Sequence, residues 1–250
     1  MMRPVNVPKL NMRYWIAISL ASVFGANMGD FVSHVLHLGH VRGLPILGGI
    51  LAFVLIAEPR MRLRTQAWYW STIVVIRTAA TNIGDLGTHD LRLSYPALVV
   101  GLAALLVLTM QFCEARKQEL PVTNSGYWIS MLVAGTLGTA GGDYAAAVLG
   151  LGLSSLLSSL LLACVLGLFF KIGSPGRGFY WAAIAIVRTW GTNIGDLLVG
   201  KHGANLGLYA GTALAGAAFV ALLVLWRERT FENVLSPAAT ASADPIPQDG

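Results

Sequence analysis

RTAATNIGD at residues 77–85 and RTWGTNIGD at residues 188–196 are two copies of one polar motif, each set in an otherwise apolar stretch. Looser copies read SVFGANMGD at 22–30 and GTLGTAGGD at 135–143. A Trp stands fifteen residues before the Asp that ends each copy: Trp15 and Asp30, Trp70 and Asp85, Trp128 and Asp143, Trp181 and Asp196. A Tyr precedes each Trp, at Tyr14, Tyr69, Tyr127 and Tyr180. The Asp-to-Asp intervals are 55, 58 and 53. Such a fixed spacing means that one supersecondary unit is copied and stacked.

Composition places these units in a membrane. Hydrophobic residues make up 55% of the 250-residue chain and charged residues 12%, about half the charged share of a soluble domain. The mean hydropathy is +0.65. Eight segments are long enough, or nearly so, for the roughly 20 apolar residues of a span: 14–36, 41–57, 68–87, 94–113, 127–149, 152–170, 179–200 and 205–226. The second is interrupted by Pro45 and the Gly48-Gly49 pair, and is expected to be short or broken at its outer end.

The expected fold is all-α and integral to the membrane, with about eight transmembrane helices forming four parallel two-helix repeats in a pseudo-twofold or fourfold arrangement. The repeats cover 11–66, 67–122, 123–176 and 177–230 of a single transmembrane domain, 1–235. Residues 236–250 read as a disordered cytoplasmic tail. Two helices per unit return the chain to the side it left, so every copy enters from the same side. The first helix of each unit, bearing the motif, should face a common axis, and the second should face lipid. A small residue lies four before each motif Gly (Gly25, Ala80, Gly138 and Gly191), the small-xxx-small pattern of close helix packing. The Tyr-Trp pairs read as an interfacial aromatic belt.

Twelve of the seventeen Lys and Arg fall on the side of the N-terminus. Arg42, Arg92 and Lys201 occupy the opposite loops, and Arg77 and Arg188 lie inside spans. This bias expects both termini in the cytoplasm of a bacterial inner membrane. The net charge of +5 then belongs to loops beside anionic lipid rather than to a nucleic-acid surface. The two cysteines, Cys113 and Cys164, suggest no disulfide framework. The sequence contains no HExxH, no phosphate-binding loop and no nucleophile–base pair in context, so neither catalytic residues nor a cofactor are expected.

Fifteen helical residues rise about 22 Å, most of the way across a hydrocarbon core of about 30 Å. The four Asp should therefore share one depth. Asp30, Asp85, Asp143 and Asp196, with Asn27, Asn82 and Asn193 and with Thr81, Thr139 and Thr192, would make an oxygen-rich surface that suits a hard cation. His34 and His89, four residues after their Asp, are possible accessory metal ligands. Arg77 and Arg188 need partners in the membrane interior, and aspartates of neighbouring units are the expected ones.

The repeated YW…TNIGD/TxGGD pattern over residues 11–230 resembles a family of bacterial integral membrane proteins described only as uncharacterised membrane-anchored proteins. That resemblance implies a polytopic inner-membrane location. A more distant analogy is with cation exporters that carry a Glu-x-Gly-Asp motif in repeated helices. Here the residue two before Gly is Asn27, Asn82, Ala140 or Asn193. Three readings stand: a transporter or exporter of a small cation such as Mn²⁺ or another divalent metal, a cation channel, and a non-transporting membrane protein held together by buried Asp–Arg pairs. Partners are the lipid bilayer and a possible divalent metal, not nucleic acid, and the sequence sets no oligomeric state.

Overall fold

A computed structural model describes residues 5–57, 66–112, 122–173, 176–200 and 203–225. The expected tail at 236–250 lies outside the described residues, as do most of the basic loop residues, Cys113 and Lys201. The helices are α1 (Met12–Asp30), α2 (Gly39–Ala57), α3 (Gln66–Asp85), α4 (Tyr95–Phe112), α5 (Ser125–Leu149), α6 (Leu151–Ile172), α7 (Arg177–Val199) and α8 (Gly207–Leu225). They follow the eight apolar segments to within a few residues. The expected break in the second span is absent, because α2 runs unbroken through Pro45. That proline lies near the helix start, where it costs one backbone bond.

The odd-numbered helices form the inner ring. Along that ring α1 packs on α3, α3 on α5, α5 on α7, and α7 on α1. Each even-numbered helix fills the groove outside the inner helix of the next unit: α2 on α3, α4 on α5, α6 on α7 and α8 on α1. Large exposed apolar side chains cover the outer helices, among them Ile50 and Phe53 on α2, Val107 on α4, Leu156 and Leu160 on α6, and Val220 on α8. The segments Met12–Val35, Gly39–Ile56, Leu151–Ile172 and Gly207–Leu225 are each long and apolar enough to cross a membrane. The inner α3, α5 and α7 are less apolar, with polar groups turned to the axis and to the seams between helices, and the apolar run of α4, Tyr95–Gln111, is shorter.

Five layers of side chains, spaced four residues apart, fill the axis. The first is a closed ring of four tyrosine hydroxyls. Tyr14 lies 3.1 Å from Tyr69, Tyr69 2.7 Å from Tyr127, Tyr127 3.0 Å from Tyr180, and Tyr180 2.7 Å from Tyr14. With the contacts of Gly29 with Thr81, Gly84 with Thr139, Gly142 with Thr192 and Gly195 with Asn27 at the other end, this ring means that the four inner helices run parallel. Each Tyr also leans on the Trp of the next unit, with ring centroids 5.8 Å apart for Tyr14–Trp70, 5.7 Å for Tyr69–Trp128, 5.5 Å for Tyr127–Trp181 and 6.2 Å for Tyr180–Trp15. All eight rings are buried. The expected interfacial belt is therefore a plug of aromatic side chains, since each Trp is covered by the neighbouring copy instead of by headgroups.

Ile18, Ile73, Met131 and Ile184 form the second layer, each fully buried. The third holds Ser22, Arg77, Gly135 and Arg188, and the fourth Ala26, Thr81, Thr139 and Thr192. The fifth is Asp30, Asp85, Asp143 and Asp196. The backbone repeats fourfold, while the third layer is twofold in chemistry. Residues Val5–Asn6 and Val122–Thr123, which precede the inner helices of the first and third units, also pair as a short antiparallel ladder, β1 with β2. In the same two units, Asn11 and Asn124 cap α1 and α5 by accepting from the Tyr14 and Tyr127 amides.

Replacing any one ring tyrosine by Phe removes one member of a cyclic network and leaves two hydroxyls short of a bond. Each of Y14F, Y69F, Y127F and Y180F is expected to lose about 1 kcal/mol of stability, alike at all four positions, as read from melting temperatures of the purified proteins. A cost confined to one position would contradict a closed ring.

Candidate functional site

The glycines determine how closely the inner helices approach. An added Cβ on Gly25 would lie 2.6 Å from Arg77 Cγ, and one on Gly29 2.6 Å from Thr81 Cβ. The same contacts recur from the third unit to the fourth, with Gly138 against Arg188 and Gly142 against Thr192. Facing Gly135 the motif position is Ala80, while Gly191 is as tight as the others, since an added Cβ would lie 2.5 Å from Ser22 Cβ and 2.9 Å from its carbonyl carbon. The small-xxx-small face is thus the seam between consecutive units.

Arg77 is fully buried and sits across the axis. Its Nε donates to Ser22 Oγ at 3.3 Å. Nη1 donates to Thr139 Oγ1 at 2.7 Å, Thr81 Oγ1 at 3.1 Å and the Gly135 carbonyl at 3.4 Å. Nη2 donates to Thr192 Oγ1 at 2.6 Å and the Arg188 carbonyl at 3.3 Å. One guanidinium therefore reaches all four inner helices. Among the described residues neither Arg77 nor Arg188 forms an ion pair with an aspartate, so the expected Asp–Arg pairing is absent, and Arg77 takes neutral oxygens in its place. The physical reason is register: the arginines lie two turns below the Asp layer, and the threonine hydroxyls come between.

The same geometry corrects the proposed ligand set. Thr81, Thr139 and Thr192 do face the axis, but their hydroxyls accept from Arg77. The asparagines, one residue further along, are turned about 100° away from that face. Asn82 accepts from Ser33 Oγ at 2.8 Å and donates to the Gly29 and Thr78 carbonyls. Asn193 donates to Ser158 Oγ and to the Ser154 carbonyl on α6. Asn27 is buried beside Gly195 and Gly211, and its Nδ2 has no partner. Asn82 and Asn193 join inner helices to their neighbours, and none of the three asparagines lies on the axial face.

The four aspartates remain. Asp85 is buried and Asp30, Asp143 and Asp196 are half-buried. Among the described residues none of the four carboxylates has a hydrogen-bond or ion-pair partner. Each lies close enough to others of the set to act on it electrostatically. Among the described residues no group of three or more His, Cys, Asp or Glu is arranged to hold a metal ion, so this conformation does not draw the four into a ligand cage.

His34 and His89 lie beside the Asp end of the axis, where the first two units differ from the others. After Asp30 and Asp85 the helix widens into π-helical turns, Phe31–Val35 and Leu86–Asp90, a distortion frequent at functional sites. His34 meets His40 with ring centroids 6.0 Å apart, and His40 stacks on His89 at 6.2 Å. His40 Nδ1 is 2.6 Å from Asp90 Oδ2. His40 and Asp90 belong to no copy of the motif, and nothing in the spacing marked them. The tyrosine ring was marked by its recurrence but lay behind the interfacial reading.

The family described as Repeat of Unknown Function (DUF347) matches residues 13–62 and 179–229, which are the first and fourth units. The layers show the second and third units built on the same plan. No curated protein and no solved structure matches the chain, and the analogy with Gly-Asp cation exporters gains no support.

Proposed function

We propose that the protein is a polytopic transporter that moves a small cation, Mn²⁺ or another divalent metal, across a bacterial inner membrane, and that Asp30, Asp85, Asp143 and Asp196 receive it. The observation that carries this reading is four carboxylates at one register of a membrane protein that have no hydrogen-bond or ion-pair partner among the described residues. Such groups are costly in a membrane and mark ion pathways. Lys9, Arg13, Lys171 and Arg177 lie at the tyrosine end, against Arg42 and Arg92 at the aspartate end. That bias supports a cytoplasmic tyrosine end and an aspartate vestibule facing out.

Below the vestibule, Arg77 occupies the threonine hydroxyls and the tyrosine ring closes the axis. Hydroxyls in mutual hydrogen-bond contact leave no passage for a hydrated ion, which favours a transport cycle over an open channel. In that cycle Arg77 is a tethered cation. It holds the threonine oxygens until the moving ion displaces it, and its return closes the path. No catalytic role is assigned to any residue.

A second reading has its own observation. The six hydrogen bonds of Arg77 to four helices also suit a non-transporting assembly in which the arginine only joins the units. Substitution of each Asp by Asn, with cell metal content and metal sensitivity as readouts, separates the two. Transport expects at least D85N to change both, because Asp85 is the most buried of the four. Four folded variants with unchanged metal content and sensitivity would leave the assembly reading.

A further inference from the structure

Arg188 is the buried cation that the fold leaves without an oxygen acceptor among the described residues. Its side chain is fully buried, yet Nε and Nη1 have no hydrogen-bond partner there. Nη2 donates only to Met131 Sδ, at 3.2 Å, and a thioether is a weak acceptor. Arg77, at the same depth in the second unit, is fully served by neutral oxygens. The difference is direction. Arg77 extends to the threonine layer, whereas Arg188 extends toward the tyrosine ring, since Met131 lies one turn beyond Tyr127. All four ring tyrosines act on it electrostatically.

A guanidinium buried in an apolar collar needs hydrogen-bond acceptors or a counter-charge. The collar is Ile18, Ile73, Met131 and Ile184, which offers neither beyond the Met131 sulfur. The ring hydroxyls are engaged with one another: four bonds use all four O–H groups, so a hydroxyl that donates to an anion gives up its bond within the ring. We propose that Arg188 and the tyrosine ring hold a small monovalent anion of the halide class on the axis, with Nε and Nη1 as its charged donors and ring hydroxyls as neutral ones. The apolar collar selects a weakly hydrated anion such as chloride or bromide. A divalent oxyanion is disfavoured because its hydration is costly to remove and because the second arginine is turned the other way. The proposal does not rest on cation transport, and it holds equally for a static assembly.

The test uses the purified full chain, exchanged into gluconate and titrated with bromide or chloride at constant ionic strength. The expected result is a saturable rise in melting temperature that sulfate does not reproduce and that R188Q loses. Should R188Q not fold, bromide-soaked crystals of the wild-type protein decide the matter through anomalous density beside Arg188. A melting temperature indifferent to halide overturns the proposal, as does an equal shift in R188Q or the lack of bromide density. Tyrosinate absorbance in halide-free wild-type protein also overturns it, because the ring itself would then carry the counter-charge.

Discussion

Gly138→Val is expected to abolish the folded state. An ideal Cβ on Gly138 would lie 2.7 Å from the carbonyl carbon of Arg188 and 2.8 Å from the amide nitrogen of Thr189. Both are backbone atoms of the facing helix, so no rotamer change relieves the clash, and α5 and α7 must separate. The cost is about 3 kcal/mol or more. It falls on the seam where the fourth unit joins the ring, and opening one seam opens the ring. Gly141→Ala is the matched control. Its Cβ would meet only Thr189 Oγ1, at 3.6 Å, an ordinary contact, and alanine gains up to about 1 kcal/mol of helix propensity. The expected readout is a monodisperse, thermally stable G141A beside a G138V that does not survive purification. Similar melting temperatures for the two would mean that the seam is looser than described.

The two buried arginines are expected to respond to the same substitution with opposite sign. Arg77→Met removes six hydrogen bonds and leaves Thr139 Oγ1, with no other bond among the described residues, without its donor. Relief of the charge's desolvation offsets part of this, and the net loss is about 2–4 kcal/mol. Arg188→Met loses a single weak bond and removes two nitrogens, Nε and Nη1, that have no partner among the described residues. In halide-free buffer it is expected to be neutral or to stabilise by about 1–3 kcal/mol. Melting temperatures of R77M and R188M in gluconate check the pair. Equal destabilisation would show that Arg188 has acceptors after all.

Much of this architecture is legible in the chain because the repeat unit writes it four times. The Trp-to-Asp spacing places helix starts and ends, and two helices per unit force parallel copies. Gly25 with Gly29, and Gly138 with Gly142, mark the face that meets the next unit. What escapes the sequence is which way each polar side chain turns. Thr81 and Asn82 are neighbours in the motif, yet one faces the axis and the other the groove beside α2, because one residue is about 100° of helix. Arg77 and Arg188 are equivalent in sequence and point to opposite ends. Serine stands in their layer at Ser22 and glycine at Gly135, and no motif alignment shows that Arg77 fills the space these leave. The aromatic pairs look interfacial one unit at a time, and only closure of the ring lets Tyr180 cover Trp15 and bury it.

The candidate site divides along the same line. Recurrence places the four aspartates at one depth, and among the described residues none of them has a hydrogen-bond or ion-pair partner. Around them Arg77 holds the threonine hydroxyls, and Asn82 and Asn193 bond within the seams. In the proposed cycle the carboxylates meet the metal first, and the threonine oxygens become available only when Arg77 leaves them.

Metal flux into liposomes holding the purified protein, compared with a folded variant in which Asp30, Asp85, Asp143 and Asp196 are all Asn, tests the central claim most directly. The account predicts saturable Mn²⁺ or other divalent flux in the wild type and its loss in the quadruple variant. Absence of flux from folded wild-type protein for every divalent metal tried, or undiminished flux from the variant, would contradict it.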